Sequence, residues 1–115
     1  MLTIYHNPRC SKSRQALEIL QQQQLDITVV EYLKNPPDQA ELKSLLTKLA
    51  MTPRQLLRTG EQEYKDLQLS QPTITDAQLI TAMTQHPKLI ERPIVVLGER
   101  AVVGRPPERV LELLA

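Results

Sequence analysis

Apolar residues near the start of the chain change from a strand pattern to a helical pattern and back again. Residues 2–6 (LTIYH) form one short strand-like run, and residues 26–33 (DITVVEYL) form a second run that is rich in β-branched residues. From Ser11 onwards the intervening apolar residues, Ala16, Leu17 and Leu20, recur at helical spacing. The pattern predicts a strand, a helix and a parallel strand joined by a right-handed crossover.

The middle of the chain has the apolar spacing and the start signals of helices. Asn35-Pro36-Pro37 ends the preceding strand region, and Asp38 is a suitable N-cap for the helix that follows. Four helical segments are predicted: residues 39–50, 53–58 and 63–69, and a helix that starts with the capping box of Thr75 and Gln78 and ends near His86.

Strand signals return after Pro93. The runs IVVL and RAVV flank Gly98-Glu99, which suits a two-residue type II′ hairpin, and a last helix is predicted from Pro106 to Leu114. The order βαβ, helical block, ββα favours a four-stranded mixed sheet with helices on its faces. This is an α/β, thioredoxin-like fold with a helical insertion between its halves, in a single domain over residues 1–115.

Composition and charge exclude several functions. The 115 residues carry a net charge of +1 and contain neither Trp nor Phe, which argues against nucleic-acid binding by a broad basic surface or by base stacking. No apolar run approaches the roughly 20 residues needed to span a bilayer. A single cysteine and no export signal favour the cytoplasm, and one cysteine with two histidines argues against a bound metal or other resident cofactor. A monomer is expected.

The only cysteine lies in the segment HNPRCSKSR, residues 6–14, where the first strand gives way to the first helix. Free N–H groups at a helix start, together with nearby basic side chains, favour a thiolate. The alternative is a small buried hydrophobic residue, which the polar loop makes less favourable. Because Ser13 occupies the place of a second cysteine in a CxxC pair, any disulfide must form with another molecule.

Eight of the fourteen basic residues are arginine, whose planar guanidinium binds oxyanions in a bidentate way. Arg58, Arg92 and Arg105 lie where they could reach the cysteine loop, at the end of a predicted helix, before a strand and after the hairpin. Taken singly, each could equally be a surface residue that serves solubility. Together with Cys10 they favour an oxyanion substrate.

The motifs resemble those of the glutaredoxin-linked arsenate reductases. HNPRCSKSR has the form His-x-x-x-Cys-x-x-x-Arg, and NPPD, LLR, QHPKLIERPIVV and GRPPE follow in the family's order over nearly the whole chain. The resemblance implies a thioredoxin-like fold, a cis Arg92-Pro93 bond, and reduction of arsenate to arsenite with glutathione as thiol co-substrate and glutaredoxin as partner.

The resemblance also implies roles for individual residues. Cys10 would attack arsenate to form a thioarsenate, which glutathione and glutaredoxin resolve. Arg58, Arg92 and Arg105 would hold the oxyanion, with Ser13 and Asn7 as further substrate-binding residues, and His6 and Arg14 would be catalytic. His6 is expected to help lower the thiol pKa; its alternative is a strand-end histidine bonded to backbone.

The cysteine loop departs from the family pattern in three residues. Better-characterised arsenate reductases carry a Gly-Thr-type pair where this chain has Ser11-Lys12, and a small residue where it has Arg9. Two alternatives therefore stand beside arsenate reduction. One is a related thiol oxidoreductase acting on another oxyanion or on glutathionylated protein; the other is a non-catalytic, Spx-like redox regulator.

Overall fold

The structure is a computed structural model that describes residues 2–114. It contains four strands, five α-helices and two 3-10 helices within that range. The strands are β1 (Leu2–His6), β2 (Ile27–Glu31), β3 (Ile94–Leu97) and β4 (Arg100–Val103), and the α-helices are α1 (Ser11–Gln21), α2 (Gln39–Leu49), α3 (Pro53–Leu56), α4 (Gln62–Asp66) and α5 (Asp76–Gln85). The 3-10 helices span Pro87–Leu89 and Pro107–Leu114.

Contacts divide the chain into two compact units. One combines residues up to Asn35 with those from Arg92 onwards, and the other runs from Pro36 to Glu91. The single domain predicted over residues 1–115 stays a prediction, as does the monomeric state. Between residues 2 and 114 no helix has the length and apolar character needed to cross a membrane.

The first unit contains the predicted four-stranded mixed sheet, with strand order β2-β1-β3-β4. β1 pairs in parallel with β2, and its register sets His6 opposite Glu31. β3 pairs antiparallel with both β1 and β4. Gly98, with φ of 62°, turns the chain between β3 and β4, as a type II′ turn requires at its first central position. The sheet therefore confirms the predicted order of elements.

Helix α1 and the C-terminal 3-10 helix both contact the aliphatic core of this unit. Its buried residues are Leu2, Ile4, Ala16, Leu20, Val95, Val110 and Leu113. The close approach of the chain at Gly104 leaves no space for a side chain, because an added Cβ would lie 2.9 Å from Cγ of Pro93 and 3.0 Å from Cγ1 of Val110. The packing thus fixes Pro93, and with it the segment that carries Arg92.

The second unit is the predicted helical block. Asp38 caps α2 by accepting the N–H of Glu41 at 2.8 Å, and Thr75 forms the predicted capping box at the start of α5. Helix α2 buries Leu42, Leu45 and Leu46 and packs against α5, whereas Leu49 is only half-buried.

Two helices differ from their predicted form. Helix α3 ends at Leu56, two residues before the predicted end, because Leu57 is extended and forms a bridge with Ile90. The last helix has 3-10 geometry from Pro107 to Leu114.

Candidate active site

Cys10 is the N-cap residue of α1, at the junction that the sequence predicts. Its own N–H donates to the carbonyl of Asn7 at 3.0 Å, and its carbonyl accepts the N–H of Arg14 at 3.0 Å. The side chain of Asn7 further braces the turn by accepting the N–H of Arg9 at 3.0 Å. The loop therefore holds the cysteine at the start of the helix by backbone bonds on both sides.

The pKa of the Cys10 thiol is lowered below its usual value, although burial alone raises it. The N–H groups of Ser13 and Lys12 and the guanidinium of Arg92 act in the lowering direction and outweigh burial. These N–H groups belong to the first turn of α1, where free donors and the positive end of the helix dipole favour a thiolate. Because Cys10 is also partly exposed, it is not the buried hydrophobic residue of the alternative interpretation.

His6 and Ser13 form a buried pair behind the loop. Nδ1 of His6 lies 2.6 Å from Oγ of Ser13, and the same oxygen accepts the N–H of Asn7 at 3.0 Å. Burial lowers the pKa of His6, a nearby Glu31 opposes this, and Arg14 adds to the lowering. His6 is thus bonded to a side chain and not to backbone, and burial favours its neutral form.

We expect the neutral His6 to make the folded chain less stable in acid. Its pKa is lower in the folded than in the unfolded chain, so its full contribution to the free energy of unfolding holds above about pH 6.5 and is lost as pH falls through the folded pKa. The slope from this one group is at most about 1.4 kcal/mol per pH unit.

Urea unfolding at pH 7.5, 6.5 and 5.5 measures this effect. His6→Asn should lose less stability than the unchanged protein between pH 6.5 and 5.5, whereas Ser11→Ala, an exposed change that keeps His6, should lose as much as the unchanged protein. Equal losses in His6→Asn and the unchanged protein would contradict the assignment.

The structure places two of the three predicted oxyanion arginines in the same unit as Cys10. Arg92 is half-buried, acts on the thiol, and precedes Pro93 through the cis bond that the resemblance implies. Arg105 is exposed, and its N–H donates to the carbonyl of Val103 at 2.9 Å. Arg105 also precedes a cis bond, to Pro106, which was not predicted. The structure therefore brings Arg92 to the cysteine.

The remaining predicted arginines have other local partners. Nη1 of Arg14 donates to the carbonyl of Pro8 at 2.9 Å, which ties the first turn of α1 to the cysteine loop. Arg58 lies in the helical unit, where its guanidinium is 3.4 Å from Glu61 and 3.6 Å from Glu91. The roles predicted for Arg14 and Arg58 stay predictions.

Comparison with known proteins identifies the family. The model of the ArsC family matches residues 5–113. The chain belongs to the ArsC family.

Several relatives of this ArsC protein align over almost its full length. YfgD, an uncharacterized protein of Escherichia coli, is 49% identical over 112 residues, which cover 96% of this chain and 94% of YfgD. The arsenate reductase of Neisseria meningitidis serogroup A is 43% identical over 114 residues, covering 98% and 97% of the two chains.

A solved structure supports the fold as well. The arsenate reductase from Vibrio cholerae is 47% identical and superposes with a TM-score of 0.94, over 96% of this chain and 95% of that one. The thioredoxin-like fold predicted from the order of elements is therefore confirmed.

Glu31 is a member of the site in this ArsC protein that the sequence pattern did not single out. It influences the pKa of His6 because the parallel register sets the two residues side by side at the ends of β1 and β2. The sequence pattern predicted the two strands as parallel neighbours but gave neither their register nor the end of β2 at Glu31. Among residues 2–114 no group of three or more His, Cys, Asp or Glu side chains could hold a metal ion.

Proposed function

We propose that this ArsC protein is an arsenate reductase that uses Cys10 as its nucleophile. The observation that carries the proposal is the Cys10 thiol at the start of α1, whose pKa is lowered by the first-turn N–H groups and by Arg92. A thiolate is the nucleophilic form of cysteine, and a neighbouring guanidinium attracts a tetrahedral oxyanion to it. The relatives named arsenate reductase support the same substrate.

In the first step the Cys10 thiolate attacks the arsenic atom of arsenate. A sulfur–arsenic bond forms, and one oxygen of arsenate leaves as water after protonation. Arg92 stabilises the negative charge on the remaining oxygens, while the N–H groups of Lys12 and Ser13 keep the attacking sulfur ionised. Arg105 supplies a second guanidinium from the same unit.

In the second step an external thiolate of the glutathione class attacks Sγ of Cys10. The sulfur–arsenic bond breaks with its electron pair on arsenic, which leaves as arsenite, and a mixed disulfide remains on Cys10. A glutaredoxin thiolate then attacks the glutathione sulfur of that disulfide; a glutaredoxin–glutathione disulfide forms, and Cys10 leaves as thiolate. Because the sequence contains one cysteine, both electrons come from outside thiols, as the reducing cytoplasm would supply.

The other site residues support these steps. Ser13 and Asn7 shape the oxyanion loop through the hydrogen bond between the Asn7 N–H and Ser13 Oγ. Arg14 fixes the loop through the carbonyl of Pro8, and neutral His6 positions Ser13. Arg58 is proposed to contribute to oxyanion binding on the strength of the family motif alone.

Turnover with arsenate, glutathione, glutaredoxin and an NADPH-recycling system tests the proposal. We expect arsenate-dependent NADPH oxidation and production of arsenite, both lost in Cys10→Ser, while Cys10→Ser retains the far-UV circular dichroism of the unchanged protein. If folded protein gives no arsenate-dependent turnover above that of Cys10→Ser, the proposal is wrong.

Exchange with glutathionylated protein is a second candidate. The observation that favours it is the pair Ser11 and Lys12, both exposed in the first turn of α1 next to the half-buried Cys10. A fluorescent glutathionylated peptide measures this activity without arsenate. Release of glutathione faster than arsenate turnover, and lost in Cys10→Ser, would favour the exchange reaction.

A further inference from the structure

A groove beside the cysteine loop has no part in the steps described so far. It has a volume of about 180 Å³ and is lined by residues 6–9 and, from the end of β2 and the segment after it, by Glu31, Leu33 and Lys34. We call it the β2 groove. Its residues 7–9 form the turn that leads directly into Cys10, which places the groove beside the segment that carries the nucleophile.

The charges of the β2 groove suit a small zwitterionic ligand with an excess of carboxylates. Arg9 and Lys34 provide two cations, Glu31 provides one carboxylate, and Leu33 provides an apolar wall. Nζ of Lys34 is 3.5 Å from Oε1 of Glu31, with 76% and 40% of the two side chains exposed. Such exposed pairs are worth little, so a ligand can replace either partner at small cost.

The strand order sets the β2 groove and Arg92 on different sides of the cysteine loop. In the order β2-β1-β3-β4, the end of β1 leads into the loop, the groove lies toward β2, and Arg92 lies just before β3 on the other flank. Displacement at a sulfur atom proceeds in line, with the incoming and leaving groups on opposite sides. If the oxyanion is held on the Arg92 flank, the incoming thiol therefore approaches from the β2 flank.

We propose that the β2 groove binds the thiol co-substrate, a γ-glutamyl tripeptide thiol of the glutathione class. A carboxylate of the tripeptide pairs with Lys34 and Arg9, its ammonium pairs with Glu31, and its methylene groups lie against Leu33. The identity of this co-substrate rests on the proposed function. Lys34 and Glu31 are then binding residues for the reductant and not for arsenate.

A reaction that needs no arsenate tests the groove. The Cys10 thiolate attacks one sulfur of glutathione disulfide; the sulfur–sulfur bond breaks, a Cys10–glutathione disulfide forms, and the second glutathione leaves as thiolate. Cys10 is oxidised and the departing sulfur is reduced. Mass spectrometry gives the second-order rate constant, and 3,3′-dithiodipropionate, which has carboxylates but no ammonium group, serves as the reference disulfide.

Glu31→Gln is the decisive variant. Docking through the ammonium predicts that its rate constant with glutathione disulfide falls about two- to fivefold relative to that with dithiodipropionate. Loss of the negative charge alone would raise the rate constants for both anionic disulfides alike and would leave their ratio unchanged. The ratio of the two constants also cancels any change in the thiol pKa.

Lys34→Gln completes the test, with Lys43→Gln on the exposed side of α2 as its matched control. We expect an about two- to fivefold slower reaction with glutathione disulfide in Lys34→Gln and none of this loss in Lys43→Gln. An unchanged Glu31→Gln ratio, or equal constants for Lys34→Gln and Lys43→Gln, overturns the proposal. Because this test contains no arsenate, it can support the groove proposal even if the protein shows no arsenate turnover. It can also contradict the groove proposal even if arsenate turnover is found.

Discussion

Arg92→Gln is expected to lower kcat/KM for arsenate by about 10²–10³-fold and to raise the pKa of Cys10. The guanidinium of Arg92 lowers the thiol pKa both through its charge and through a hydrogen bond to the cysteine side chain. Its loss therefore reduces the fraction of thiolate at neutral pH. It also removes a preorganised donor for the charge that develops on arsenate, which typically costs two to three orders of magnitude in rate.

Alkylation by iodoacetamide as a function of pH measures the first effect without arsenate. The midpoint for Arg92→Gln should lie above that of the unchanged protein, and Arg92→Lys should fall between them because it keeps the charge and loses the planar fork. Arg100→Gln is the matched control, since Arg100 is an exposed arginine on β4 of the same unit. A midpoint in Arg92→Gln equal to that of Arg100→Gln would contradict the role of Arg92.

Local signals predicted the fold well wherever residues close in sequence decide the structure. β1 was predicted at its observed bounds because Pro8 stops the strand pattern that Leu2–His6 begins. The start of α2 followed from Asp38, and the start of α5 from the Thr75 capping box, both of which are bonds within one turn. The end of α3 was missed because it depends on the bridge from Leu57 to Ile90, a contact between residues distant in sequence.

The same distinction between local and long-range contacts applies to the residues of the candidate site. The place of Cys10 at a helix start was predictable from strand and helix signals around it, and it is confirmed. The pairing of Arg58 with Glu61 and Glu91 was not, because charged side chains choose among several partners only once the chain is folded. The influence of Glu31 on His6 required the register of two strands, which no local pattern gives.

His6 illustrates a role that changes once its surroundings are known. The resemblance implied a histidine that helps to lower the thiol pKa, and that role stays a prediction. In the structure the influences that lower the pKa of Cys10 come from Ser13, Arg92 and Lys12. His6 bonds to Ser13, whose N–H acts on the sulfur, so any influence of His6 on the thiol passes through Ser13. Ser13 is therefore the residue at which to test the link.

Ser13→Ala should destabilise the protein by about 2–4 kcal/mol. Ser13 is fully buried, and its hydroxyl both bonds to Nδ1 of His6 and accepts the N–H of Asn7. Alanine leaves both groups without this partner in a site that excludes most water, and each unsatisfied buried group costs about 1–3 kcal/mol. Urea unfolding at pH 7.5 measures the loss.

Ser11→Ala, which removes an exposed hydroxyl from the same turn, is the control and should change the free energy of unfolding by less than about 0.5 kcal/mol. The alkylation midpoint separates positioning from direct action on the thiol. The Ser13 N–H remains in the alanine variant, so the midpoint should move less than in Arg92→Gln if the turn keeps its shape. A larger shift than in Arg92→Gln would instead mean that the His6–Ser13 pair, by fixing the direction of that N–H, controls the thiolate more strongly than the arginine does.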